Sequence, residues 1–417
     1  MPAMALPPTT VTASICSDSR PLVVVDDGLG SFGPLTDLRA AFELRAGVGT
    51  LLERIERAVG RRADALLVPD RLAAVVAEST GRPTNKLPSC DECLVVNGRL
   101  LSAAAARIPS GAVHADREGR FIAGWLRRGD AAAFARAKAT ATADARLAQT
   151  PWDITTAVAS TLAEDLDEQL GLFQLGVRRA LRPDEGQSFG THAIHVDASA
   201  VIGPLAVIDA SKGPVVIGPH CVVRPFSVLI GPCAILEGST VAERSLIKGS
   251  TLIGPHCRAG GEIGGTIFQS YSNKSHDGHL GDSFVGEWVN IGAGTDNSNL
   301  LNTYGEVIVR LEPDGGLVRT GRQFWGSILA DHVKLAIGTR LMTGTTVGTG
   351  AMIAQSRPPS SLVPRFAWLV DSADGAKTFR FDKFMETARA MMSRRGKAPG
   401  PAMEAALRAL HSKATGA

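Results

Sequence analysis

Between Val196 and Ile353 an aliphatic residue keeps returning at a spacing of six, in runs that slip and resume. The clearest run is Leu329, Leu335, Leu341 and Val347. An earlier run reads Val196, Ile202 and Ile208, slips, and resumes at Ile217, Val223, Ile230 and Leu236; another starts at Val241 and passes through Ile247 and Ile253. Turn-forming residues follow many of these anchors, as in Ile202-Gly-Pro, Ile217-Gly-Pro-His-Cys and Ile253-Gly-Pro-His-Cys. Neither the helical period of 3.6 nor strand alternation gives a spacing of six. A hexapeptide repeat does, with one short strand and a turn per unit and three units per triangular coil. Each anchor then points inward and stacks on its equivalents in the next coil, since no single repeat can bury itself. The pattern predicts a left-handed parallel β-helix over residues 191–357.

The flanking segments have a different texture. Over residues 21–150 strands alternate with helical stretches, which predicts an α/β domain with ligands at the carboxyl ends of its strands. Leu22-Val-Val-Val-Asp-Asp, Ala65-Leu-Leu-Val and Cys93-Leu-Val-Val-Asn read as strands. Leu38–Val59 and a segment from about Arg71 read as helices. Further on, Gly119-Arg-Phe-Ile-Ala-Gly-Trp-Leu reads as a strand and the Ala-rich Asp130–Leu147 as a helix. Thr155–Leu172 predicts a helix within a linker, 151–190. Residues 358–417 predict a C-terminal extension with helices near Phe381–Arg395 and Ala402–Leu410, suited to covering unpaired solenoid backbone. Residues 1–20 read as a loose leader.

Composition narrows the function classes. The 417 residues are 44% hydrophobic and 20% charged, with 44 basic against 41 acidic side chains. A net charge of +3 gives no electrostatic case for nucleic acid or a membrane surface. No apolar run approaches the roughly 20 residues that span a bilayer. The leader lacks the basic start and hydrophobic segment of a signal peptide, so a cytoplasmic protein with reduced thiols is expected. Cys90-x-x-Cys93 is a single pair and cannot close a four-ligand zinc site. Cys221, Cys233 and Cys257 sit at repeat positions where a small apolar side chain packs.

Ser270-Tyr-Ser-Asn-Lys-Ser-His-Asp-Gly-His-Leu-Gly-Asp interrupts the repeat with polar residues. Loops leaving a rigid scaffold are where chemistry concentrates. His276 is the candidate base, because acyl transfer to an amine needs a group of near-neutral pKa to take the amine proton; the plainer alternative is a surface or capping histidine. His279 could assist it or bind substrate. No Ser or Cys in the segment has a convincing activating partner, so direct attack is expected rather than an acyl-enzyme.

Lys274-Ser-His-Asp-Gly-His-Leu-Gly-Asp-Ser-Phe-Val-Gly-Glu-Trp-Val-Asn-Ile-Gly-Ala-Gly-Thr resembles the acetyltransferase half of the bifunctional family that makes UDP-N-acetylglucosamine by acetylating and then uridylating glucosamine 1-phosphate. The resemblance implies that His276 is the base, with Asn290 beside substrate and acceptor and Asn299 holding substrate and acetyl group. It implies an acetyl-CoA cleft lined by Ala293, by Lys334 and Thr339 in Asp331-His-Val-Lys-Leu-Ala-Ile-Gly-Thr, and by Ala354. It also implies a homotrimer. Departures accompany it. Ile337 replaces a serine, His279 a tyrosine, and Gly264 a lysine of the phosphate site, so that contact falls to Lys274, Arg224 or Arg258. The segment Asn299–Arg322 is also longer than the family's turn.

The first domain lacks the usual Gly-x-Gly-Thr-Arg opening of nucleotidyltransferases. Gly47-Val-Gly-Thr lies in a helix-like stretch rather than after a strand. Phe32-Gly-Pro-Leu-Thr-Asp-Leu-Arg39, Leu44-Arg45, Val96-Asn-Gly-Arg99 and Pro151-Trp-Asp153 instead resemble a divergent bacterial family of sugar nucleotidyltransferases fused to the same β-helix. That resemblance implies a nucleoside triphosphate as a second substrate, with Arg39, Arg45 and Arg99 on its phosphates and Asp26 or Asp27 on Mg2+. Three functional readings follow: a two-activity sugar-nucleotide enzyme; a single-activity enzyme in which one of the two domains, such as a degenerate first domain, is structural or regulatory; and a non-acyl hexapeptide protein, either a scaffold or a zinc hydratase. The hydratase would need a His-x4-His pair and a third histidine, and the break offers His-x2-His.

Overall fold

The computed structural model describes residues 20–167, 178–182, 184–372 and 377–416; the leader, apart from Arg20, and the end of the predicted helix at Leu172 lie outside them. Leu22–Val25 is the middle of three parallel strands in the first domain, paired with Ala65–Leu67 on one side and Glu92–Asn97 on the other. Phe121–Arg127, Val113–Ala115 and Ala141–Thr142 complete a six-stranded mixed sheet. The helix Leu51–Val59 starts at Thr50, whose hydroxyl accepts from the Glu53 amide while Glu53 reaches back to the Thr50 amide, a capping box. Two helical expectations fail. Leu38–Val59 is helical only from Leu51, apart from one 3-10 turn at Ala41–Glu43, because Gly47-Val-Gly forms a turn closed by the Arg45–Thr50 bridge. The Ala-rich Asp130–Leu147 forms only the end of one short turn, Arg128–Ala131, a 3-10 turn and an edge strand; docking beside Val113–Ala115 overrides alanine's helical propensity.

The β-helix has three parallel faces. Regular coils place Val222, Thr240 and Arg258 in register, eighteen residues apart. The inward anchors Ile217, Val223, Leu229, Ile235, Val241, Ile247 and Ile253 are all buried in the solenoid core. The run is therefore unbroken, and the sequence reading was one residue late at Ile230 and Leu236. Leu236 belongs instead to the core shared with the first domain. Val216, Ala234, Leu252, Ile267, Phe284 and Ile328 likewise point outward from one face and are fully buried there, which is why that face reads as apolar pairs and triples rather than as alternation. They are covered by the helix Pro151–Asp165 through Trp152, Ile154, Ala157, Val158 and Leu162. This helix, expected in a linker, is part of the first domain's core.

Asn290 pairs with Lys334 across a gap of 44 residues, the excess over a regular coil being an inserted hairpin, Ile308–Arg310 with Leu317–Arg319. Val307, Val309, Leu311 and Trp325 of this insertion enter the shared core, and Trp325 meets Trp152 edge to face at 5.4 Å. At the far end, the helices Phe381–Ser393 and Pro401–Thr415 pack Phe384, Met385, Ala388 and Leu407 against Phe366 and Leu38. They thus bridge the flank of the solenoid to the first domain, and Glu78 accepts from the Ala402 and Met403 amides at the last helix's start. All five described cysteines are free, and all but Cys90 are buried.

Candidate functional site

Lys274 holds the polar break together. Register places it opposite Ala259, at an inward anchor position where the repeat elsewhere puts an aliphatic residue. Its side chain is 1% exposed. Its ammonium donates to the carbonyls of Gly260, His276, Asp277 and Gly278 at 2.9–3.1 Å, and burial pulls its pKa down to about 8. Its donors are used within the fold, so the phosphate role expected of Lys274 does not match its placement. Asn297 is a second polar anchor, opposite Leu341. It accepts from the Gly281 amide and donates to the Gly281 carbonyl and Ser283 hydroxyl. The sequence carried a signal for it: six residues beyond Ile291 the phase demands an aliphatic side chain and finds an amide.

His276 is thereby presented at an exposed corner. Asn273, Asn290, Lys334 and Met352 are successive register partners. Counting on from them stacks Ser275, Gly292, Ala336 and Ala354, then His276, Ala293 and Ile337. The stacking is tight, since a Cβ on Gly292 would lie 2.6 Å from Ala336, and the Gly338 amide donates to the Ala293 carbonyl at 2.8 Å. Ile337 is 79% exposed, Ala354 is exposed and Ala293 half-buried. Thr339 is buried, with its hydroxyl on the Ala336 carbonyl. The Lys334 ammonium is held by the Trp288 and His332 carbonyls, and burial pushes it down to about 7. Asn290 accepts from the Asn273 amide at 2.9 Å.

A second group of side chains lies on the face that follows this corner. His279 Nδ1 is 3.4 Å from Glu262 Oε1, which also receives Lys248 Nζ at 2.5 Å. These bonds, led by that from Lys248, hold the Glu262 carboxyl below its ordinary value. Lys248 belongs to the coil before Gly264, and a Cβ on Gly264 would stand 3.1 Å from its side chain. A Cβ on Gly281 would come within 2.6 Å of Asn299 Nδ2 and 2.7 Å of His279 Nε2; glycine there lets the two side chains converge. Asn299 donates to Asp282 at 2.6 Å, whose carboxyl is raised by burial. Lys248, Glu262 and Asp282 escaped the sequence reading because they come from separate coils. Arg224 is exposed and pairs with Glu243 three coils from His276; Arg258 lies on the neighbouring outer face, beside Asn273.

The first domain closes on itself where a nucleotide was expected. Asp27 receives Arg99 at 2.6 and 2.7 Å, Asn97 at 2.9 Å and the Leu29 amide at 3.2 Å. Burial opposes its charge, but Arg99 and Asn97 leave the carboxyl lowered overall. Asp26 accepts from the Gly28 and Ala41 amides. Among the described residues no three His, Cys, Asp or Glu side chains cluster so as to hold a metal ion by themselves. Arg39 and Arg45, expected on phosphates, are both 6% exposed at the contact between domains. Arg39 pairs with Asp331 at 2.9 Å and Glu287 at 3.2 Å; Arg45 donates to the Gln269 and Val48 carbonyls.

Residues 22–169 match the family described as sugar nucleotidyl transferase. The chain is 30% identical over 185 residues to the bifunctional protein GlmU of Nitrosospira multiformis, covering 43% of this chain and 33% of that protein. It is 36% identical over 125 residues to the GlmU of Gloeobacter violaceus, covering 28% and 26%. It is 28% identical over 136 residues to the bifunctional sugar-1-phosphate nucleotidylyltransferase/acetyltransferase of Sulfurisphaera tokodaii, covering 33% and 28%. The matched part thus spans a third or less of each of these relatives. The UDP-N-acetylglucosamine acyltransferase of Francisella novicida is similar over 51% of this chain and 75% of its own, at 17% identity and a TM-score of 0.28, a likeness too slight to carry weight. No helix among the described residues is long and apolar enough to cross a membrane.

Proposed function

We propose, for a chain that is a divergent relative of the GlmU-like proteins, that it transfers the acetyl group of acetyl-CoA to the amine of an amino-sugar 1-phosphate. The observation that carries this reading is the stacking of His276, Ala293 and Ile337 along one corner, with His279 and Asn299 converging beside it over Gly281. The exposed Ile337 and the small residues Ala293 and Ala354 make an apolar rail fit for the pantetheine arm. The amine attacks the thioester carbonyl, a C–N bond forms, and the C–S bond breaks to release CoA thiolate. His276 accepts the amine proton and can return it to the departing sulfur. Asn290 offers an amide to the developing oxyanion. Lys248, lying across Gly264, supplies the phosphate contact that a lysine at 264 would have given. A homotrimer sharing this corner between chains is the assembly we expect.

One observation favours a single-activity enzyme over one with two activities: the Arg99 donors that a phosphate would need are taken up by Asp27 and the Ala148 carbonyl. The test measures thiol release from acetyl-CoA with glucosamine 1-phosphate. Release by the intact chain, with loss in His276→Ala while acetyl-CoA still binds, supports the acetyltransferase. No release from a chain that binds acetyl-CoA points to another amino sugar; no binding at all leaves the scaffold reading.

A further inference from the structure

The helix Pro151–Asp165 belongs to the first domain's core, yet it also grips one short segment beside the acceptor side of the polar corner. That segment, Arg322–Gly326, is the return of the inserted hairpin. Trp152 and Thr156 stand four residues apart on the helix and so share a face. Trp152 meets the buried ring of Trp325 edge to face at 5.4 Å, and the Arg322 guanidinium donates to the Thr156 hydroxyl. From this grip the contacts run into the candidate site. The Trp325 amide donates to the Asn299 carbonyl at 2.9 Å, and the Gly326 amide to the Asp282 carbonyl at 2.8 Å. Phe324 pairs with Leu300 across an antiparallel bridge, which lays the returning segment along the backbone that leaves Asn299. Gly326 has no slack, since a Cβ there would run into the Gly281 carbonyl and Asn297 Nδ2.

Two tethers from one helix thus reach Asn299 and Asp282, which are joined side chain to side chain at 2.6 Å, beside the glycine over which Asn299 meets His279. Arg322 also acts on this pair through its charge: burial raises the Asp282 carboxyl, and the Asn299 amide, His279 and Arg322 in turn work against that rise. Close-packed groups of this kind pass a displacement on, because they leave no space to relax into. We propose that the helix Pro151–Asp165 sets the acceptor site: through Trp152 and Thr156 it fixes the returning segment, and with it the place of Asn299 and Asp282, so that Trp152 is a positioning residue for acetyl transfer. The first domain, whose own carboxyl edge is closed, then has a task in the chemistry of the β-helix. The link runs through the insertion, the segment by which this chain departs from the family's turn. The role of Asn299 toward an acceptor rests on the reading above; the contacts that hold it do not.

The test joins steady-state kinetics to amide hydrogen exchange in the full-length chain. Trp152→Leu removes the ring edge, Thr156→Ala removes the polar tether at an exposed position, and Trp152→Phe keeps an aromatic ring. The first two should raise the KM for glucosamine 1-phosphate about fivefold or more and leave that for acetyl-CoA within about twofold, since small misplacements at a site carry large costs. Trp152→Phe should stay close to the intact chain. In an Asn299→Ala background Trp152→Leu should add less than about twofold, because residues that act through one another are not additive. Exchange at the Trp325 and Gly326 amides should quicken in Trp152→Leu and Thr156→Ala. Equal rises in both KM values, a full further loss in the Asn299→Ala background, or unchanged exchange at the two amides would each overturn the proposal. Exchange needs no turnover: an intact chain that transfers no acetyl group would end the reading of the site, and the exchange result would still decide whether the helix holds Asn299 in place.

Discussion

The carboxyl edge of the first domain and the polar corner of the β-helix both present histidine, amide or charged side chains at the ends of parallel strands, yet they use them in opposite ways. At the first, Asp27, Asn97 and Arg99 are consumed by one another. At the second, Lys274 and Asn297 turn inward and satisfy the loop from beneath, which leaves His276 exposed with His279 and Asn299 close by. The same residue types are structural where their partners lie within the fold and chemically available where an inner set of polar groups has relieved them of that duty.

The largest effect should come from breaking the closed edge. Arg99→Ala strands a buried carboxylate, which typically costs about 3–5 kcal/mol, read as a lowered urea midpoint. The paired change Asp27→Leu with Arg99→Met should recover most of that loss, and failure to recover would mean that the edge does more than hold itself together. Lys274→Met should be next, at about 2–3 kcal/mol, because an apolar side chain of similar length leaves four carbonyls short of a donor. It should also lower kcat by loosening the loop, with little change in the KM for acetyl-CoA.

His332 gives a pH-dependent test of intermediate size. Burial, aided by Lys334 and Arg39, pushes its imidazole well below the ordinary value. On acidification the unfolded chain therefore takes up a proton that the folded chain refuses, and stability falls as pH drops below about 6.5. Relative to His332→Phe, the native chain should lose about 2 kcal/mol between pH 7.5 and pH 5; a constant gap in unfolding free energy would contradict a neutral buried ring. The smallest effect belongs to Lys248→Met, which should raise the KM for the sugar phosphate about tenfold, worth about 1.4 kcal/mol, and leave that for acetyl-CoA unchanged.

The solenoid was legible because its period is local: Leu329, Leu335, Leu341 and Val347 declare it within nineteen residues, and all four are buried. The break at Ser270–Asp282 was legible for the same reason, as a failure of that period. What escaped depends on partners distant in sequence. Nothing near Arg39 announces Asp331, 292 residues away, and an arginine read alone looks free for a phosphate. Lys274 was misread for a subtler reason. Its charge suggested a ligand, while its six-residue phase, shared with Phe268 and Leu280, had already assigned it to the interior.

The most direct test of this contrast is acetyl transfer from acetyl-CoA to glucosamine 1-phosphate, measured side by side in the native chain, in His276→Ala and in the paired Asp27→Leu, Arg99→Met variant. The account predicts a loss of about a hundredfold or more in His276→Ala, the usual contribution of a general base, and a near-native rate in the paired variant. A near-native rate in His276→Ala, with the paired variant inactive though folded, would contradict it and move the chemistry to the first domain.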